Sequence, residues 1–207
     1  FPSTDAPGNE LELTLAQTDL KRLIDLTQFA MAQQDVRYYL NGLLLEVDGK
    51  TLKTVATDGH RMALAELELE DDSGGNRQVI VPRKGVLELT RFLEDSETPA
   101  KISLGTNHVR VELPNLTFTS KLIDGRFPDY NKVVPANQTK EILIDRQSFR
   151  DALSRAAILS NEKYRGVRLS LAKGSLTITA HNPEQEEAEE EMPIDYSGED
   201  LEIGFNV

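Results

Sequence analysis

Cysteine is absent from the 207 residues, which excludes disulfides, thiolate catalysis and cysteine-ligated zinc together and fits a reducing compartment, so a cytoplasmic protein is expected. Histidine is scarce: His60, His108 and His181 show no H-x-H or H-x-x-x-H spacing, and no metal site or cofactor is expected. No apolar run approaches the roughly 20 residues of a membrane span, so no membrane contact is expected. Positive charge is in deficit, with 23 Lys and Arg against 35 Asp and Glu and a net charge of −12, which argues against an overall phosphate-binding surface. The deficit is uneven, however, because six of the eight residues from Glu184 to Glu191 are acidic while basic residues fall on predicted helices. An initiating methionine is also missing, and the chain is expected to be a piece of a longer one. Asn115-Leu116-Thr117 and Asn137-Gln138-Thr139 match the glycosylation pattern by chance, there being no signal peptide or cysteine beside them.

What is present is a repeat. "LTLAQTDLKRLI" from Leu13, "VIVPRKGVLELT" from Val79 and "ILIDRQSFRDAL" from Ile142 each begin as a strand and turn amphipathic. Leu20, Val86 and Phe149 fall in register, as do Leu23, Leu89 and Ala152. Downstream of the first and third openings, "GLLLEVDGKTLKTVATD" from Gly42 lies over "GVRLSLAKGSLTITAHN" from Gly166, each a strand, a tight turn and a strand. Residues 101–119 repeat the pattern around Thr106-Asn107. The module is strand, helix and antiparallel strands, about 65 residues long. The fold class is therefore α+β, with a linker at 1–9, a complete two-module domain at 10–135, and the first half of a following domain at 136–207.

Several stretches carry candidate chemistry. "TVATDGHRMALAEL" (54–67) sets Asp58 beside His60, an orienting carboxylate and a base, but no activated Ser, Thr or Lys adjoins them. "DGKT" (48–51) ends like a phosphate loop, yet Leu44 stands where that loop needs glycine, so a hairpin turn explains it. "QQDVRYYLNG" (33–42) interleaves Arg37 with Tyr38 and Tyr39, a pattern that either holds phosphates and stacks on bases or packs on a core. Arg83 and Lys84 open a helix against its dipole, which hints at an external anion. Lys21, Arg22, Arg91, Arg146 and Arg150 put basic residues on all three helices. "RFPDYNKVVP" (126–135) is stiffened by Pro128 and Pro135 and reads as a groove edge or as a packed connector. The acidic run aligns through the repeat with "TDGHRMALAEL", so it is partly strand and faces either solvent or a basic partner.

In this order, "VATDGHRMA", "VPRKG", "DGRFPDY", "AAILSNEKYRGVRL" and "NPEQEEAEEE" closely resemble the β sliding clamp of bacterial replicative DNA polymerase III. The resemblance covers nearly the whole chain. It implies the DNA-clamp fold, with helices lining a hole and sheets outside, and places 10–135 as the middle domain of three and 136–207 as the first half of the third. It implies a non-catalytic processivity factor, a head-to-tail homodimeric ring closed round duplex DNA without sequence specificity, in the bacterial cytoplasm at the nucleoid.

The implied partners are replicative and repair polymerases, the ATP-dependent clamp loader, and mismatch-repair and ligase-type clients, all bound through short peptides. By resemblance the peptide pocket takes in Tyr39, Leu40, Thr57, Gly59, His60, Arg61, Met62, Pro128, Lys132 and Val133, with a further part from the family's C-terminus. Met62 stands where a leucine is common. Gln34, Arg37, Tyr38, Arg83 and Lys84 are the implied DNA-facing residues. Ile158, Leu159, Glu186, Glu187, Glu189 and Glu190 are the implied subunit interface, and the chain alone is expected to be monomeric. The competing readings are a hydrolase of nucleic acid or phosphate esters using Asp58 and His60, and a stand-alone peptide-binding module.

Overall fold

A computed structural model of the chain describes residues 11–136, 138–161, 163 and 165–207; the expected linker at 1–9 lies outside the described residues. The chain divides into two compact units, Phe1–Asn131 and Lys132–Val207. Among the described residues no helix is long and apolar enough to cross a membrane.

The first unit contains, in order, β1 (Leu11–Ala16), α1 (Gln17–Asp25), β2 (Gly42–Asp48), β3 (Thr51–Thr57), β4 (Met62–Glu68), β5 (Asn76–Pro82), α2 (Arg83–Phe92), β6 (Pro99–Leu104), β7 (His108–Leu113) and β8 (Leu116–Lys121). They form two antiparallel sheets, β1-β6-β7-β8 and β4-β3-β2-β5. The β2–β3 hairpin closes where Gly49 takes φ +56°, a left-handed conformation open to glycine at no steric cost. On α1, Leu20, Leu23 and Ile24 recur at helical spacing and are buried with Val86 and Leu89 of α2 against strand residues of both sheets. Two fully buried hydroxyls beneath α1 are satisfied, Thr27 and Thr54 both donating to the Leu23 carbonyl, at 2.8 and 3.0 Å.

The β4-β3-β2-β5 sheet is covered on both faces. Leu43, Leu45 and Val47 point into the helix-side core, while Leu44 points the other way, into a smaller cluster with Val55, Ile80, Leu40, Phe127 and Tyr130. At Leu43–Leu45 β2 is buried on both faces, which is why the strand opens on three consecutive leucines before Glu46 reaches the polar partners Gln78 and Tyr130. The burial of Phe127 and Tyr130 shows that the proline-stiffened stretch after β8 packs on the sheet.

The second unit holds α3 (Arg146–Ala157), β9 (Gly166–Ala172), β10 (Ser175–His181), β11 (Glu187–Pro193) and β12 (Leu201–Asn206), with strand order β11-β10-β9-β12. This matches β4-β3-β2-β5 strand for strand, so the sequence repeat is a structural one. The α3 helix is capped by Asp145, whose carboxylate accepts the Ser148 N–H at 2.8 Å. One expectation fails here: the third opening, Ile142-Leu143-Ile144, forms no strand. Its counterpart β1 is held by β6, a strand of the module that follows, and the described residues of the second unit offer no such partner. Leu143 is accordingly 88% exposed.

Leu44 is 1% exposed and lies in the outer cluster, against whose edge Met62 packs. Leu44→Ala is expected to destabilise the first unit by about 2–5 kcal/mol, read from chemical denaturation followed by circular dichroism. A loss below about 0.5 kcal/mol would mean that the outer cluster is not a close-packed core.

Candidate functional site

The outer cluster forms the floor of the candidate site. Leu40, from a short 3-10 turn at Tyr38–Leu40, is 2% exposed within it, and Tyr39 and Met62 pack against its edge. Tyr130 is buried with its hydroxyl donating to Glu46 at 3.1 Å. Burial first, and then the neighbouring Glu46 carboxylate, pushes the phenol up to about 12. That bond and the insertion of Phe127 pin the segment that carries the exposed Pro128.

Above this floor the residues between β3 and β4 make a tight, self-satisfied turn. The Thr57 hydroxyl donates to the Arg61 carbonyl at 2.7 Å and accepts the Gly59 N–H at 3.1 Å. Asp58 Oδ1 accepts the N–H groups of His60 and Arg61 at 2.9 and 3.0 Å, and its other oxygen takes the Arg61 guanidinium at 3.2 Å. Gly59 sits at φ +89°. Arg61 reaches on to donate to the Phe29 carbonyl at 3.0 Å and stacks 5.5 Å from the Phe29 ring centre. Thr57 and Met62 are paired where the ladder resumes, so Met62 presents a half-buried apolar side chain beside exposed His60 and Arg61.

The loop at 33–38 flanks this turn. Gln34 is exposed and left-handed at φ +57°, Tyr38 is 56% exposed, and its ring lies edge-on to Tyr39 at 5.8 Å. Arg37 is not a free cation, because its guanidinium forks onto Asp35 at 3.0 and 2.8 Å and donates to the Asp58 carbonyl at 3.2 Å. Arg83 is half-buried with its guanidinium 3.4 Å from the Met31 carbonyl, while Lys84 is exposed at the start of α2. A hollow of about 340 Å³ between Phe29, Asp35, His60, Arg61 and Arg83 joins the two loops.

The structure thus brings Tyr39, Leu40, Thr57, Gly59, His60, Arg61, Met62 and Pro128 together in the first unit. Lys132 and Val133 fall in the second, where Val133 is 64% exposed. Asp35 and Phe29 escaped the sequence reading; the one available signal was an acid two residues before Arg37. In the second unit Ile158 is 77% exposed just past α3, and Leu159 is half-buried. The acidic run forms β11, and the register sets Glu187 opposite His181 and Glu189 opposite Thr179, so no two of these acids face across the ladder. Glu190 points to α3 and is gripped by Arg155 at 2.8 and 2.9 Å, and Glu186 accepts from Asn182 at 2.6 Å. Arg155 in turn holds the Glu190 carboxyl below the usual glutamate range.

A hydrolytic centre does not form. The hydrogen bonds to the Asp58 carboxylate come from two backbone N–H groups and Arg61, which leaves the imidazole of His60 unoriented by it. Among the described residues no group of three or more His, Asp or Glu side chains is placed to hold a metal ion.

The family model for the DNA polymerase III beta subunit matches in two parts, its central domain over residues 14–129 and its C-terminal domain over 131–207. The chain belongs to this family. It is 57% identical to the beta sliding clamp of Pseudomonas aeruginosa and 53% to that of Escherichia coli K12, in each case over the whole chain. The chain spans 56% of the length of these relatives. Among solved structures, the DNA polymerase III subunit beta of P. aeruginosa superposes with a TM-score of 0.95 at 57% identity, covering all of this chain and 56% of that one. A sliding clamp of the same species bound to griselimycin matches with a TM-score of 0.94, at the same identity and coverage.

The charges around the turn set its pH range. Hydrogen bonds from the Arg37 side chain and backbone N–H hold Asp35 down at about 2, from an ordinary 3.8. Burial pushes Asp58 up, but the N–H groups of Arg61 and His60 and the Arg61 guanidinium outweigh it and leave its carboxyl low. A carboxyl depressed by folding stabilises the fold above its unfolded pKa and loses that contribution as pH falls through the folded value. Amide resonances of Asp35–Arg37 are therefore expected to keep their positions down to pH 3.8 and to change only as pH approaches about 2. A midpoint at or above pH 4 would contradict the fork.

Proposed function

We propose that this chain is the middle domain and part of the third domain of a processivity clamp, a protein that works by tethering. The observation that carries the reading is the Thr57–Met62 turn. It satisfies its own polar groups and leads into Met62, which with Tyr39 lies half-buried at the edge of the cluster that buries Leu40. Such a surface suits a short extended peptide with apolar anchors, whose side chains replace solvent over the cluster edge while its backbone runs past exposed polar groups. Polymerases, the clamp loader and repair clients are the proposed partners. The family's ring, closed round duplex DNA in the bacterial cytoplasm, is the proposed assembly.

Tethering needs no chemistry at the site. A ring holds duplex topologically, so contacts from Gln34, Tyr38, Arg83 and Lys84 can be weak, salt-sensitive and blind to sequence. A polymerase held by its peptide then meets the primer end at high effective concentration. The net charge of −12 discourages duplex from settling on outer surfaces. Exposed Ile158 and the glutamates of β11 are the proposed contact with a neighbouring subunit.

The test is fluorescence anisotropy with a labelled clamp-binding peptide from a replicative polymerase, titrated with this chain and with the protein extended to the length of its relatives. Met62→Glu is expected to weaken binding roughly tenfold or more, because the carboxylate would be desolvated against the apolar anchor. His60→Ala is expected to alter peptide affinity and to reveal no phosphoesterase turnover in either form. A folded Met62→Glu variant that binds the peptide as the parent does would overturn the site assignment.

A further inference from the structure

Arg37 stands between the two halves of the proposed machinery, and its bonds run toward the peptide side. Its guanidinium forks onto the Asp35 carboxylate at 3.0 and 2.8 Å, and the same carboxylate accepts the Arg37 backbone N–H at 2.8 Å. From that fixed position one nitrogen donates to the Asp58 carbonyl, 21 residues away in the turn, at 3.2 Å. The edge of the guanidinium abuts Gly59: a Cβ added there would meet the two terminal nitrogens at 2.8 and 2.9 Å and the carbon between them at 3.3 Å. Glycine at 59 is favoured by φ +89°, which strains any other side chain, and a Cβ there would also displace the Arg37 guanidinium. The base of the fork is braced in turn, since Asp35 and Asn41 exchange hydrogen bonds of 2.9 Å through the Asn41 side-chain amide.

From this geometry we infer that Arg37 is a positioning residue for the Thr57–Met62 turn, and that its pairing with Asp35 sets peptide affinity. The inference rests on the peptide-site reading above. The Asp58 carbonyl has no side chain of its own turn to orient it from this direction; Arg37 supplies a planar, bidentate strut that an ammonium group cannot reproduce. Its charge is already matched by Asp35, so the residue contributes to the site by shape and hydrogen-bond direction. A phosphate drawn to this loop would have to compete with Asp35 for the same fork.

The substitution Asp35→Asn separates the two roles, because it removes a negative charge from the loop while breaking the strut. Arg37→Lys keeps the charge and loses the planar fork. Both variants are made in this chain, checked for an unchanged melting curve, and compared by amide chemical shifts of Gly59, His60 and Arg61, by peptide anisotropy and by binding of a labelled duplex. The expected result is shifted amides in the turn and peptide affinity reduced roughly tenfold in both variants, with duplex binding unchanged or tighter in Asp35→Asn. Turn amides and peptide affinity that match the parent in both variants would overturn the inference. Shifted turn amides in the variants, with no peptide binding by the parent protein extended to the length of its relatives, would uphold the positioning role and overturn the peptide-site reading instead.

Discussion

Leu43, Leu44 and Leu45 point alternately to two cores, and that division governs the first unit. A sheet buried on both faces cannot slip by one residue without moving every side chain into the wrong core, so its register is strongly specified. The helix-side core takes Leu43 and Leu45 with the apolar stripes of α1 and α2. The opposite face takes Leu44, Val55 and Ile80, and is sealed by Leu40, Phe127 and Tyr130 from two separate segments. Sealing that face fixes the edge against which Tyr39 and Met62 of the candidate site pack.

Above the floor, polar groups take over the ordering. Thr57, Asp58 and Arg61 satisfy one another's donors and acceptors, and Arg37 ties this closed circuit to the neighbouring loop. None of this prepares a nucleophile or polarises a bond. It ties the turn to itself and to its neighbouring loop, the preorganisation that the proposed binding of a flexible segment would draw on. The same economy governs the second unit, where alternate residues of an acidic strand face threonine or are matched by Arg155.

Much of the fold is legible in the sequence, because its signals are local and periodic. The hairpins at Asp48-Gly49 and Lys173-Gly174, the helices under Leu20, Val86 and Phe149, and the repeat itself all follow from spacing and turn chemistry. What escaped depends on distant partners. Ile142-Leu143-Ile144 has strand composition, but a ladder needs a neighbour that composition does not reveal. "RFPDYNKVVP" left groove edge and packed connector open; Phe127 and Tyr130 prove buried, which identifies packing without removing Pro128 from the surface. At the site, the Thr57–Met62 turn was singled out from its residues, whereas the strut from Arg37 to Asp58 crosses 21 positions and has no sequence signature. Arg37 beside Tyr38 and Tyr39 leaves phosphate contact and core packing both open in the sequence, and its fork onto Asp35 has no compositional signature.

The outer-face cluster and the turn beside it are proposed to form one preorganised binding surface. The most direct test is to map, by amide chemical-shift changes in the labelled chain, where an extended polymerase-derived peptide lands. Changes are expected to concentrate at Tyr39–Leu40, Thr57–Met62 and Phe127–Pro128, with α1, α2 and the β11 edge unmoved. Changes confined to the helices or to β11, with the turn silent at saturation, would contradict it.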